Sequence, residues 1–199
     1  MSSIYIVFVD TPGLFASIIR FVIKQKYIHV AIAMDAKLEE TYSVGRRDPR
    51  IPLSAGFVKE DKRKILKKYP NANYMVCRVN CSRKQKECIQ TKLRNDFKIR
   101  FRYHYTIVGL LLILFGKPFK QKYFYTCSSY VAKILEETGI CHWKKHTSIV
   151  TPKDFYDDLE KEIVFEGYLY ELVDQKDTDT MTRIKLCSLL KQYRGYTST

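Results

Sequence analysis

The sequence lacks the spacings that announce metal or redox chemistry. Six cysteines are present (Cys77, Cys81, Cys88, Cys127, Cys141 and Cys187), but no two form a CxxC pair. Cys77, Cys81 and Cys88 are poorly spaced for zinc, and no histidine stands near them, so a structural metal site is not expected. No secretory signal is evident: Met1-Ser2-Ser3 leads straight into Ile4–Val9, without a basic region or a small-residue cleavage site. The thiols are therefore expected to be reduced and the protein cytoplasmic. No apolar stretch approaches the roughly 20 residues of a membrane-spanning helix. The longest, Ile107–Phe115, has nine residues and is expected to be buried under the sheet or the Cys127 helix, with an interfacial patch beside Lys117 and Lys120 as the alternative. Internal repeats and low-complexity tracts are missing too. No GxSxG elbow surrounds Ser128 and Ser129, which argues against a serine hydrolase.

What is present is an ordinary globular composition. The chain has 199 residues, 46% hydrophobic and 28% charged, enough to bury a core. Its net charge is +14, with basic clusters at Lys62–Lys68, Arg83–Lys86, Lys117–Lys122 and Lys144–Lys145. No nucleic-acid motif accompanies them, so specific nucleic-acid binding is not expected and the charge reads as a solvated surface. The charge leaves open an anionic partner, and nothing in the sequence sets the oligomeric state.

Hydrophobic patterning places strands at Ile4–Val9, Tyr27–Met34, Leu38–Val44 and Tyr74–Val79, with a short extended piece at Gly56–Val58. Helices are expected at Leu14–Lys24, Ser82–Phe97 with Ser82 as N-cap, Tyr103–Phe115, Phe124–Thr138, and Thr151–Leu159 with Pro152 in its first turn. Lys59–Lys68 is polar and undecided, and Ile163–Val173 suggests a final strand pair broken at Gly167. Strands early and helices later make the class α+β. One domain is expected over 1–173. Residues 174–199 form a C-terminal linker and a candidate amphipathic helix at Thr182–Tyr193.

Two residues stand out chemically. Cys127 opens the helix whose buried face is Val131, Ile134 and Leu135. A helix N-terminus has free N–H groups and partial positive charge, which favour a thiolate and can hold an oxyanion. A free cysteine can equally be a small buried hydrophobe. His29 lies in the strand Tyr27–Met34, with the small Ala31 and Ala33 on its own face; it reads as a general base or as a core histidine. Together they form a nucleophile–base pair. Such a pair needs a polar group to orient the imidazole. A hairpin loop of two or four residues after the His29 strand places Glu40 and Tyr42 on the His29 face, whereas a three-residue loop presents Glu39. Glu40 is the expected third residue. His104, His142 and His146 are read as packing or surface residues.

These segments carry a family resemblance. His29-Val-Ala-Ile-Ala-Met-Asp35, Leu38-Glu-Glu40-Thr-Tyr-Ser-Val-Gly-Arg46, Gly56-Phe-Val58, Tyr125-Thr-Cys127-Ser-Ser-Tyr-Val-Ala132 and Ser148-Ile-Val-Thr-Pro152 together resemble the circularly permuted, NlpC-like branch of the papain-like cysteine peptidase and amidase superfamily. In that branch the His strand precedes the Cys helix. The resemblance spans roughly residues 4 to 160 and implies a small, mostly antiparallel sheet with the nucleophile helix packed against it. It also implies Cys127 as nucleophile, His29 as base and Glu40 as orienting residue, acting without metal or cofactor. The implied reaction is amide hydrolysis in a peptide or peptidoglycan-derived fragment through a Cys thioester. Relatives resembling lecithin retinol acyltransferase make ester or thioester hydrolysis, or acyl transfer on lipid-like substrates, the alternative. A non-catalytic binding module on the same fold is the competing class.

Overall fold

In the computed structural model, described over residues 2–12, 20, 25–47, 55–106, 109, 112, 113 and 115–173, the β-branched run near the N-terminus becomes a central strand. This is β1 (Ser2–Asp10), which pairs antiparallel with β2 (His29–Ala33) on one side and β5 (Asn73–Cys81) on the other. The sheet extends through β3 (Thr41–Arg46) and β4 (Ala55–Glu60) at one edge and β8 (Glu162–Tyr168) at the other. The order is β4-β3-β2-β1-β5-β8, antiparallel at every pairing. The class is α+β with a mostly antiparallel sheet. Two short strands, β6 (His104–Tyr105) and β7 (Phe124–Tyr125), form a separate parallel ribbon.

Period-2 alternation sends the two faces of the sheet into different cores. Ile4, Ile6, Phe8, Val30, Ile32, Tyr42, Val44 and Met75 pack with α2 (Arg83–Lys98) and α3 (Cys127–Glu137), which contribute Ile89, Leu93, Val131, Ile134 and Leu135. Val7, Val9, Ala31, Ala33 and Val76 face a smaller cluster that includes Leu38, Ala72 and Leu169, bordered by Ile65 and Leu66 of α1 (Lys62–Lys68). α4 (Pro152–Asp158) adds Phe155 to the larger core, where it tilts against Trp143.

The helix-start signals behave as chemistry demands. Ser82 caps α2 with a capping box closed by Gln85, and Thr126 caps α3 reciprocally with Ser129. Thr151 and Pro152 open α4. Lys59–Lys68, undecided from sequence, splits into the end of β4 and α1, the helix capped by Asp61.

Four expectations need correction. The expected helix at Phe124–Thr138 begins three residues later, because Phe124 and Tyr125 pair with His104 and Tyr105 instead. The expected helix over Tyr103–Phe115 likewise starts as strand. The apolar run is not uniformly buried: Phe115 is 74% exposed, and Leu112 and Ile113 are only half-buried. Gly167 does not break the last strand. β8 continues to Tyr168, and the residues from 169 to 173 turn helical. The expected helix at Leu14–Lys24 (save Arg20), most of the loop from Gly45 to Pro52 and everything after 173 lie outside the described residues. Among the described residues no helix is long and apolar enough to cross a membrane.

Candidate active site

The β2–β3 ladder is short. Its paired rungs are Ile32 with Tyr42 and Ala33 with Thr41, and the strands then separate toward His29. Continuing the register would pair Val30 with Val44. Instead the Val30 N–H donates to the Cys127 thiol. Cys127 Sγ also lies 4.0 Å from the Ile28 carbonyl oxygen. The first residue of α3 is therefore wedged where a strand rung is missing. Cys127 is 5% exposed, and its thiol is in hydrogen-bonding contact with the His29 ring.

His29 is oriented from the other side. Its Nε2 lies 2.8 Å from Glu60 Oε1, which leaves Nδ1 as the nitrogen free for the thiol. Ser43 Oγ donates to the same carboxylate oxygen at 2.5 Å. The register explains how β4 reaches β2 across an intervening strand. Residues directly opposite share a face, so Glu60 (opposite Thr41) lies on the face that carries Ser43, Gly45 and His29. The bridged strand presents only a hydroxymethyl and a glycine at those positions. A Cβ on Gly45 would stand 3.3 Å from His29 Cε1 and 3.4 Å from Ser43 Oγ.

The expected third residue is thereby corrected: Glu60, not Glu40, holds His29. The hairpin loop has an odd number of residues, running from Asp35 to Glu39 with Met34 N–H bonded to the Glu40 carbonyl. Asp35 sets this length by accepting the N–H groups of Glu39 and Glu40, while Leu38 adopts a left-handed φ of 56°. Odd length turns Glu40 to the opposite face. There it accepts from Arg94 at 2.8 and 3.1 Å, from Gln90 at 2.8 Å and from Tyr42 at 3.2 Å, tying α2 to the sheet. Glu39 contacts Lys62 instead of His29.

The electrostatics favour an ion pair. Burial disfavours the Cys127 thiolate, but the facing imidazolium and the N–H groups of Val30 and Ser128 outweigh it and bring the thiol below its ordinary range. Burial also opposes the charged His29 ring, yet Cys127 and then Glu60 push it up to about 10. Glu60 is held below the usual carboxylate range: His29 and Ser43 overcome its desolvation. The contrast with other thiols is informative. Burial raises Cys77 to about 11 and also raises Cys81 and Cys141.

A further residue influences the site from within the stretch expected to be the Tyr103–Phe115 helix. Tyr105 ends β6, and its hydroxyl is held protonated, first by burial and then by the charge of Cys127. The β6–β7 register sets Tyr105 beside Tyr125, two residues before the thiol. The remaining histidines stay outside. His104 stacks on Phe124 at 5.3 Å, His142 is exposed, and His146 caps a 3₁₀ turn through Ser148. Among the described residues no cluster of His, Cys, Asp or Glu could hold a metal ion. No protein-family model matches the sequence, and no curated protein or solved structure matches it.

Proposed function

We propose that this chain is a cysteine hydrolase of the permuted papain-like type, cleaving an amide bond in a peptide or peptidoglycan-derived fragment. The observation that carries the reading is the unbroken relay from the Cys127 thiol through the His29 ring to the Glu60 carboxylate. The nucleophile stands at a helix start, and the orienting carboxylate is fixed by Ser43.

In this mechanism the proton from Cys127 resides on His29, and the thiolate attacks the carbonyl carbon. The free N–H groups at the start of α3, where Cys127 is the first helical residue, hold the developing oxyanion. The tetrahedral adduct collapses as His29 gives its proton to the leaving amine, and a thioester remains on Sγ. Water then loses a proton to His29 and attacks the thioester, which releases the acid and restores the pair. Glu60 keeps the ring in the required orientation and stabilises its positive form throughout.

Intact-mass measurement with peptide, ester and thioester substrates tests the reading and the bond type together. Wild-type protein should gain the mass of the acyl group and Cys127→Ala should not. If no substrate gives an adduct or turnover, and His29→Ala leaves thiol reactivity unchanged, a non-catalytic binding module replaces this proposal.

A further inference from the structure

Half of the net positive charge sits in one stretch. From Phe97 to Leu135 the chain carries seven basic residues (Lys98, Arg100, Arg102, Lys117, Lys120, Lys122 and Lys133) and no acidic residue. The same stretch holds every phenylalanine that is exposed among the described residues: Phe101 at 66%, Phe115 at 74% and Phe124 at 51%. Such exposure of large aromatic side chains beside cations marks an interaction surface rather than a solvated one.

The β6–β7 ribbon organises this surface. Its inward side is tyrosine: Tyr103, Tyr123 and Tyr125 pack on one another and, in part, on Tyr130. Its outward side presents His104 stacked on Phe124, with Arg102 over the Tyr123 ring and Phe101 beneath the Arg100 and Arg47 guanidinium groups. The excursion between the two strands carries Phe115 at an exposed turn, followed by Lys117, Lys120 and Lys122, all exposed. Among the described residues none of Arg100, Arg102, Lys117, Lys120 or Lys122 belongs to an ion pair. At the ribbon's edge a cavity of about 370 Å³ is lined by Tyr103, Lys120, Lys122, Tyr123, Tyr125 and Lys133, and no carboxylate lines it.

We propose that this surface docks the protein on an anionic lipid bilayer, with the lysine-lined cavity taking a phosphodiester head group and Phe115 and Phe124 entering the interface. Charge complementarity selects the partner's sign. The tip of the excursion selects lipid over nucleic acid: Leu112 and Ile113 are half-buried there, and the exposed Phe115 continues this apolar run. Bases stack on aromatic faces and gain little from such a run, whereas apolar insertion next to Lys and Arg is what an interfacial segment requires. The docking face adjoins the nucleophile, because Tyr105 and Tyr125 belong to the same ribbon. The inference itself does not depend on chemistry at Cys127.

Vesicle co-sedimentation of the full chain tests it, comparing phosphatidylcholine with mixed phosphatidylcholine–phosphatidylglycerol vesicles. Binding should require the anionic lipid and weaken with salt. Lys117→Gln/Lys120→Gln/Lys122→Gln should reduce partitioning by about tenfold or more, and Phe115→Ser/Phe124→Ser should reduce it as well. Lys64→Gln/Lys67→Gln/Lys68→Gln on α1, with the same charge loss elsewhere, should change it by less than about twofold. Cys127→Ala should bind like wild type. The proposal is overturned by absent binding to anionic vesicles, by an equal loss in the α1 variant, or by an unaffected phenylalanine variant. Tighter binding of single-stranded poly(U) than of vesicles overturns it as well.

Discussion

His29 Nε2 and Glu60 Oε1 meet at 2.8 Å although they stand 31 residues apart in the chain and on strands separated by a third. The contact spans β3 over Ser43 and Gly45, the smallest side chains available there. It sets the tautomer and tilt of the ring and is the part of the site most open to test.

Glu60→Gln should keep the shape but lose the charge that favours imidazolium. A drop in kcat of about 10²–10⁴-fold is expected, smaller than that of Cys127→Ala. Glu40→Ala should leave kcat within about threefold. Its bonds to Arg94, Gln90 and Tyr42 are structural, so it should instead lower Tm by about 2–4 °C. Steady-state kinetics and thermal melts of the two variants side by side separate the roles; the reverse pattern would return Glu40 to the site.

What was legible in the sequence was local. A cysteine at the start of an amphipathic helix and a histidine beside small residues in a strand are read within about ten residues of chain, and both hold their expected places. The identity of the orienting carboxylate was not local. It depends on whether a loop has an odd or even number of residues, and here a single aspartate decides: Asp35 draws in the N–H groups of Glu39 and Glu40 and inverts the facing of β3 relative to an even-numbered hairpin. The available signal for Glu60 was its position two residues past Val58 on an alternating segment, with Ser43 and Gly45 leaving room above the strand between. Tyr105 was hidden differently. An aromatic–aliphatic stretch suits a helix or a strand, and only pairing with Phe124 and Tyr125 settles it.

Gly45 is predicted to be intolerant of branching for a reason unrelated to backbone freedom. A Cβ there already approaches His29 Cε1 at 3.3 Å. Gly45→Ala should need only a small shift of the ring. Gly45→Val adds two methyl groups against the imidazole and should reduce kcat by about tenfold or more through misorientation. Alkylation of Cys127 at high pH, where any thiol ionises, should persist in Gly45→Val. Unchanged kcat in that variant would show that the ring does not need its present tilt.

The sharpest prediction concerns the charge state of Cys127 across pH. An ordinary thiol ionises near 8.5, and burial alone would move Cys127 higher, as it moves Cys77 to about 11. The imidazolium of His29 and the N–H groups of Val30 and Ser128 reverse that direction. His29 is raised to about 10 by the same contact, so the pair favours thiolate and imidazolium at pH values below the ordinary thiol range and until the ring deprotonates. Iodoacetamide labelling of Cys127, followed by peptide mass analysis, should therefore proceed at pH 6 while Cys77, Cys81 and Cys141 stay unlabelled. Turnover should fall on the acid side as the thiolate gains a proton and on the alkaline side as His29 loses one. His29→Ala deletes the largest favourable influence and leaves desolvation unopposed by charge. Labelling at pH 6 should then drop by about tenfold or more and recover only above pH ~9. Glu60→Gln should shift the alkaline limb of turnover downward, because the ring loses one of the two negative groups that hold its proton, and leave the acid limb nearly in place. A labelling profile for Cys127 that is the same in wild type and His29→Ala would refute the ion pair.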